Sequence, residues 1–170
     1  TGLIFTPLPW ITQWRHTFDQ NREQHPWQLK NNMKPIGVIH TQYTSLAGMP
    51  VQPVAASNSA RRVIVDREYQ EGLLDLDGFS HIYLIYRFHL SHGYDLRVKP
   101  FLDNEEHGVF ATRAPRRPNP IGFSIVKIIA IHANIIDIEG ADMINGTPLL
   151  DIKPYIEQFD QASHPKNGWL

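Results

Sequence analysis

The stretch that decides the fold is GFSIVKIIAIHANIIDIEG, residues 122–140. It contains two runs rich in isoleucine and valine, Gly122–His132 and Ile135–Gly140, separated by Ala133 and Asn134. β-Branched residues favour extended strands, and a two-residue break between two such runs is typical of a hairpin. Asn134 is expected to take the positive φ that a tight turn requires. The stretch therefore predicts two neighbouring antiparallel strands.

Further short segments share this β-rich character and are bounded by Gly, Pro, Asn or Asp. They are Ile36–Thr41, Arg61–Asp66, His81–His89, Val109–Thr112 and Leu149–Ile152. Amphipathic helices do not alternate with these segments, and no Gly-x-Gly-x-x-Gly motif follows any of them, which excludes a doubly wound nucleotide-binding sheet. The pattern predicts a mainly β protein, a sheet or a barrel, with few short helices.

Composition excludes several classes of protein. The chain has 170 residues, 42% of them apolar, which is enough for one continuous core. Its formal net charge of -1 provides no global positive field for a polyanion, so any nucleic acid must meet a local patch. It has no cysteine, which excludes disulfides and thiolate chemistry. No apolar run approaches a membrane span and no secretory signal is evident, so a cytoplasmic protein is expected.

The chain is expected to have three parts. Residues 1–32 hold three of the four tryptophans and are interpreted as a leader or docking arm, with a short helix around Pro9–Arg22. Residues 33–160 form the β domain, and residues 161–170 form a polar tail.

A proline-rich loop, Thr112–Gly122, concentrates unusual residues. Its three prolines fix φ and stiffen the loop before any ligand binds. A stiff loop can hold Arg113, Arg116 and Arg117 as planar donors for a carboxylate or phosphate, with Asn119 at a fixed angle. The alternative is a solvated connector whose arginines point outward.

Three other segments are candidates for a site. Asn145-Gly146 predicts a turn, after which Asp151 and Lys153 share one strand face, either to pair with each other or to lie near a ligand. The small residues of Gly140–Met143 would let a ligand approach the backbone. His89 and His92 follow an apolar strand, but no third ligand stands in a recognisable frame, so no metal site is predicted. Phe88 is either a core residue or a stacking platform.

Several of these motifs, taken together and in order, resemble the TsaA-like family between about Pro35 and Phe159. The motifs are PIGVIHT (35–41), GFSHIY (78–83), GVFATR (108–113) with RPNPIG (117–122), and GTP (146–148) through DIKPY (151–155). Any one of them would be a weak signal, whereas several long motifs in the same order are specific.

The resemblance implies an antiparallel β-barrel-like domain that binds S-adenosylmethionine (SAM), acts as a homodimer, and methylates N6 of threonylcarbamoyladenosine beside the tRNA anticodon. It places the cofactor contacts on Val51, Gln52, Pro53, Phe88, His89, Arg113, Phe123, Gly140, Ala141, Asp142 and Met143. Two departures stand out. Val51 occupies a position where the family is expected to carry arginine, and the additional C-terminal domain of longer bacterial members does not follow.

The implied chemistry assigns the remaining roles. Asn119 or Asp142 would orient the target nitrogen and take its proton late in the reaction. Arg116 and Arg117 would contact phosphates of the anticodon loop, whose bases can stack on aromatic side chains. Two alternatives remain open: methylation of a small molecule or a protein, and a SAM-binding sensor without turnover.

Overall fold

The computed structural model describes residues 33–45, 61–100 and 103–170. Its strands are β1 (Gly37–His40), β2 (Arg61–Val65), β3 (His81–Arg87), β4 (Arg97–Val98), β5 (His107–Gly108), β6 (Ile121–His132), β7 (Ile135–Glu139) and β8 (Thr147–Pro154). Short 3-10 helices span Arg67–Leu73, Leu76–Gly78 and Val109–Ala111, and one α-helical turn, α1, spans Glu157–Asp160.

Six of these strands close into a barrel in the order β1-β2-β7-β6-β3-β8. Every neighbouring pair in the barrel is antiparallel. β4 and β5 pair with each other in a separate two-stranded ribbon. The predicted fold class, an antiparallel barrel of short strands, is therefore confirmed.

The core fills the barrel because strand side chains alternate between its inside and its outside. Ile39, Val63, Leu84, Ile136 and Leu149 come from five different strands, and each has a relative exposure of 0%. Burying one such side chain contributes roughly 1.5–3 kcal/mol. The alternating apolar residues of the short strands therefore supply one continuous core.

The Ile125–Ile138 hairpin is present, but its turn differs from the expected one. Ala133, and not Asn134, takes the positive φ, at 54°. Asn134 instead binds β2: its side-chain Nδ2 donates to the Val65 carbonyl at 2.6 Å, and its own carbonyl accepts from the Val65 amide at 2.9 Å. The asparagine is therefore used to tie the hairpin to the neighbouring strand rather than to relieve backbone strain.

The segment Val109–Thr112 was expected to be a strand and instead contains a 3-10 helix. Both the amide and the hydroxyl of Thr112 donate to the Val109 carbonyl, at 3.1 and 2.9 Å. Val109 is 1% exposed, so its apolar character reflects burial in a turn rather than a place in a sheet. The prediction of a strand here was wrong because a short apolar run does not distinguish the two.

Antiparallel pairing places one set of strand ends at the same end of the barrel. β1, β3 and β7 end there, and β2, β6 and β8 begin there, because neighbouring strands run in opposite directions. We call this end the site rim. The connections β1–β2, β3–β6 and β7–β8 all start and finish at the site rim, whereas the β6–β7 hairpin lies at the opposite rim.

The C-terminal segment carries a tryptophan that contacts the ribbon. The Trp169 ring stacks on His107 with centroids 4.4 Å apart, and its Nε1 donates to the Ala111 carbonyl at 2.9 Å. His107 also pairs with Asp103 at 2.9 Å. Residues 161–170, expected to form a polar tail, thus include one aromatic anchor. Within the described ranges, the helices are all too short to cross a membrane.

Gly122 lies directly opposite Tyr86 in the β3–β6 register. A Cβ atom on Gly122 would stand 2.6 Å from Cζ of Tyr86 and 2.8 Å from Cζ of Phe88. These two rings meet edge to face with centroids 5.4 Å apart. Glycine is therefore required at the start of β6 by the aromatic pair packed against it.

Gly122→Ala should lower the stability of the protein by about 1–3 kcal/mol, because the aromatic rings or the strand must shift to admit the methyl group. The free energy of unfolding in urea measures this change. Gly108→Ala is the matched control, since apart from its chain neighbours no residue lies within 4 Å of its added Cβ, and its φ of -59° suits alanine. Equal unfolding midpoints for the two variants would contradict this account of Gly122.

Candidate active site

A cavity of about 350 Å³ opens at the site rim. Its walls come from the end of β3 and the residues after it (86 and 88–92), from residues 115–116, and from residues 142–144 with Thr147. The first two segments belong to the β3–β6 connection and the third to the β7–β8 connection. The cavity therefore exists because antiparallel closure brings these connections to one end of the barrel.

Four of the predicted cofactor residues line this cavity: Phe88, His89, Asp142 and Met143. Met143 is 4% exposed and packs in the core cluster, against which Phe88 also packs. These two side chains give the cavity an apolar wall. Residues more than 50 positions apart in the sequence thus line one cavity, and their contact with the cofactor stays a prediction.

Two other predicted residues, Arg113 and Phe123, lie on the outer face of the barrel. Phe123 is 48% exposed because alternation along β6 turns its neighbour Ser124 inward. The guanidinium carbon of Arg113 stands 4.9 Å from the centre of the Phe123 ring. The two form a cation–π pair beside the site rim and outside the cavity wall.

The remaining predicted residues have different positions. Gly140 has a φ of 87° and turns the chain out of β7, and Ala141 is 3% exposed and belongs to the core. Asn119 is exposed, and its main-chain carbonyl accepts from the Ile121 amide at 2.7 Å. Val51, Gln52 and Pro53 lie outside the described residues, in the connection between β1 and β2.

Arg116 closes one side of the cavity. Its Nε donates to Asp95 Oδ2 at 2.7 Å, and its Nη1 donates to the His92 carbonyl at 3.0 Å. Ser91 adds a bond from its hydroxyl to the Pro115 carbonyl at 3.1 Å. Hydrogen bonding from the Arg116 guanidinium holds the pKa of Asp95 below its usual range. These bonds fasten the segment after β3 to the proline-rich loop.

Arg117 fastens the same loop to the residues that precede it. Its Nη2 donates to the carbonyls of Val109 and Thr112, at 3.2 and 3.3 Å. A guanidinium bound to main-chain carbonyls positions a loop as well as carrying charge. Both arginines that were assigned to phosphate contacts thus have partners within the chain, and their contact with RNA stays a prediction.

Tyr86 and Ser124 are site residues that the sequence analysis missed. The Tyr86 hydroxyl lies 3.1 Å from Ser124 Oγ, and Ser124 Oγ donates to Asp142 Oδ1 at 2.9 Å. Tyr86 is 5% exposed, and this burial is the main cause that raises the pKa of its phenol. No sequence signal pointed to these two residues, because their contact depends on the β3–β6 register, which the sequence pattern does not specify.

The cavity combines apolar and aromatic walls with a few polar groups, which is the usual composition of a site for a small molecule or cofactor. Among the described residues of its lining, the carboxylate is that of Asp142, the guanidinium is that of Arg116, and His89 and His92 add two imidazoles. A flat ring can lie against Phe88 and Met143 while a cation or N–H donor meets the carboxylate. Fold and site thus define a barrel with a cavity at one rim whose composition suits a small ligand.

Residues 38–161 match the family model of the tRNA-methyltransferase O N-terminal domain. The chain is 47% identical over 137 residues to a Pyrococcus abyssi protein named "Probable S-adenosyl-L-methionine-binding protein", covering 81% of this chain and 74% of that one. It is 35% identical over 140 residues to human tRNA (adenine(37)-N6)-methyltransferase, covering 77% of this chain and 31% of the human protein.

Solved structures agree with these relatives. The crystal structure of TrmO from Pseudomonas aeruginosa superposes with a TM-score of 0.67 at 33% identity, covering 80% of this chain and 60% of that one. The chain belongs to the tRNA-methyltransferase O N-terminal domain family, which confirms the resemblance to the TsaA-like family. It spans about a third of the human relative and three-fifths of the crystallised chain.

Asp95→Asn should lower the melting temperature at pH 7 by a few degrees at most, because an exposed ion pair contributes little. The pKa of Asp95 is lowered in the folded protein, so the contribution of the pair is present above the ordinary aspartate pKa and is lost as the pH falls through the lowered one. The difference from the wild type should therefore begin to shrink near the ordinary aspartate pKa of about 4 and vanish only below the lowered pKa. Thermal melts across pH measure it.

Asp77→Asn, an exposed aspartate at the opposite rim, is the matched control for this titration. A difference between wild type and Asp95→Asn that stays constant from pH 7 to pH 3 would show that the carboxylate charge of Asp95 does not contribute.

Proposed function

We propose that this chain is a SAM-dependent tRNA methyltransferase that acts on N6 of threonylcarbamoyladenosine beside the anticodon. The observation that carries the proposal is the cavity at the site rim, where Phe88, His89, Asp142 and Met143 meet. Family membership over residues 38–161 and the name of the human relative, which specifies adenine 37 and its N6 atom, support the same reaction.

The residues that line the cavity suit SAM as a ligand. The walls of Phe88, Leu90 and Met143 suit an adenine ring, and the Asp142 carboxylate complements a positively charged sulfonium. The volume of about 350 Å³ lies at the lower end for ligand pockets, which suits a ligand that extends beyond the cavity. The predicted contacts of Arg113 and Phe123 require the cofactor to reach over the edge of β6.

Bound SAM supplies an electrophilic methyl carbon, so the protein has to position the acceptor, exclude water and remove a proton. Asp142 takes the proton from the exocyclic nitrogen at a carboxylate oxygen. Asn119, exposed on the stiff loop, orients the same base. The apolar walls of the cavity keep water away from the reacting atoms.

The tRNA must be held locally, because the net charge of -1 gives no long-range attraction. The Arg113–Phe123 pair offers a base a stacking surface beside a positive charge, which is the usual way to bind unpaired nucleotides. Arg116 and Arg117 stand on the same loop and add charge facing an anticodon loop. A cysteine-free chain that acts on tRNA is consistent with the cytoplasm as its compartment.

The homodimer forms through the outer face of β6 in this proposal. Ile125 and Ile129 point outward from that strand and are 47% and 56% exposed, with Lys127 between them on the same face. Large apolar side chains exposed on one strand face are typical of an interaction surface. Because β6 begins at the site rim, a second copy seated on this face would lie beside the cavity and the Arg113–Phe123 pair.

Purified protein with SAM should methylate threonylcarbamoyl-containing tRNA, as measured by mass spectrometry of the digested nucleosides. Asp142→Asn should slow single-turnover methyl transfer by about 10²–10⁴-fold, because the nitrogen then lacks its proton acceptor. Asp151→Asn is the matched control, since Asp151 pairs with Lys153 at 2.9 Å and is absent from the cavity lining.

Three results would separate the alternatives. Methylation of a small molecule or protein without methylation of tRNA would show that the substrate belongs to one of those classes and not to tRNA. Binding of SAM in calorimetry without turnover on any of these would identify a sensor. Failure to bind SAM at millimolar concentration would remove the methyltransferase assignment.

Ile125→Glu should convert the dimer to monomer, because the change replaces an apolar side chain of the proposed interface with a charge. Sedimentation velocity at assay concentration measures the oligomeric state. Leu74→Glu is the matched control, since Leu74 is 81% exposed at the opposite rim. A wild-type protein that sediments as a fully active monomer, or an Ile125→Glu variant that remains dimeric, would contradict the proposed interface.

A further inference from the structure

A chain of hydroxyl groups leads from the core of the barrel to the cavity. It begins at Tyr86 in β3, passes through Ser124 in β6, and ends at Asp142 in the β7–β8 connection. Three elements that are far apart in the sequence are joined by these two hydrogen bonds of 3.1 and 2.9 Å.

The donor direction of these two hydrogen bonds follows from the chemistry of Asp142. An ionised carboxylate only accepts hydrogen bonds, so the single Ser124 proton is used on Asp142 Oδ1. The Tyr86 hydroxyl must then donate to Ser124 Oγ. Because burial raises the pKa of Tyr86, the phenol keeps its proton throughout the neutral and mildly alkaline range. Both bonds therefore point toward the carboxylate and polarise each other.

The inner end of the chain is rigid. Tyr86 is 5% exposed, meets the Phe88 ring edge to face, and faces Gly122, where an added Cβ would stand 2.6 Å from Cζ of Tyr86. A hydroxyl on a ring held in this way has a fixed position. The outer end is different, because Asp142 is exposed and lines the cavity. The two hydrogen bonds thus hold the Asp142 carboxylate in one orientation relative to the core. Without them the carboxylate would rotate.

We infer that Tyr86 and Ser124 are positioning residues for Asp142. They hold Oδ1 so that Oδ2 faces a hydrogen-bond donor in the cavity. In residues 33–45, 61–100 and 103–170, hydrogen bonding to Asp142 is confined to Oδ1. This inference rests on the proposed function, in which the donor is the exocyclic N–H of the substrate base.

The proton balance is complete within these groups. As the nitrogen forms its bond to the methyl carbon, the carbon–sulfur bond breaks and its electron pair stays on sulfur. The nitrogen becomes positively charged and transfers its proton to Asp142 Oδ2, which leaves a neutral, fully substituted N6 that carries the methyl and carbamoyl groups, and a carboxylic acid. The proton then passes to water at the open side of the cavity. Ser124 and Tyr86 keep their protons in every step.

The test compares Ser124→Ala, Ser124→Thr and Tyr86→Phe in the full chain. Ser124→Ala should slow single-turnover methyl transfer to tRNA by about 10–100-fold, because the carboxylate loses its fixed orientation. Ser124→Thr restores the hydroxyl and should recover the rate to within about threefold of wild type. Tyr86→Phe should slow the reaction by less than Ser124→Ala does, since Ser124 still donates to Asp142.

Binding and folding provide readouts that do not depend on turnover. The dissociation constants for SAM and for tRNA should change by less than about threefold in Ser124→Ala, so the loss falls on the rate. In urea unfolding, Tyr86→Phe and Ser124→Ala should be non-additive, because both break the same bond. Ser80→Ala and Tyr155→Phe, which lose hydroxyls at the opposite rim, are the matched controls for rate and stability.

The outcomes separate this inference from the function on which it rests. A wild type that methylates tRNA together with a Ser124→Ala variant of equal rate would overturn the positioning role and leave the function intact. A Ser124→Thr variant as slow as Ser124→Ala, or additive unfolding energies, would also overturn it. If Tyr86→Phe fails to fold, the two Ser124 variants decide. A wild type without methyl transfer to tRNA would remove the function and the proton-accepting role together.

Discussion

The closure of six antiparallel strands is the constraint on which the rest of this structure depends. Once neighbouring strands alternate in direction, the connections β1–β2, β3–β6 and β7–β8 have no other place than one end of the barrel. The inward residues of these short strands pack in the core. The polar and aromatic groups of the cavity therefore come mainly from the connections. The barrel is thus a scaffold that gathers separate loops around one opening.

Within that opening, rigidity and exposure are divided among the residues. The aromatic pair Tyr86 and Phe88 is fixed by burial, and Arg116 fastens the loop that covers the other side. Asp142 stands at the boundary between them, in contact with the core through Ser124 and with the cavity through its own exposure. Such an arrangement suits a site in which one group must be placed accurately against a ligand that enters from outside.

Sequence patterns predicted the strands well because alternation and β-branched residues report burial directly. They predicted four cavity residues through motifs, and topology explains why those motifs meet. They did not reveal Tyr86 and Ser124, because a hydrogen bond across a sheet depends on register, which no local pattern specifies. They missed the hydrogen-bond partners of Arg116 and Arg117 for a similar reason. The sequence of a proline-rich loop does not show which carbonyl and carboxylate groups folding brings next to its arginines.

The same limit explains the two local errors. Val109 is apolar because it is buried, and an apolar run of three residues fits a turn as well as a strand. Asn134 has a conformational preference that suits a hairpin turn, but its side-chain amide instead donates a hydrogen bond to the Val65 carbonyl. At Asn134, local preference was overridden by a contact with a distant part of the chain.

The glycine at the start of β6 has a consequence for how this site can change over evolution. Because Gly122 leaves no room between β6 and the two rings, the three positions form a single steric unit. Replacing either ring by a smaller side chain would free space for a side chain at position 122, and a larger residue there would demand a smaller one at 86 or 88. Family members that have altered the shape of this cavity should therefore show coordinated replacement at these three sites, with ligand preference diverging in discrete steps rather than gradually.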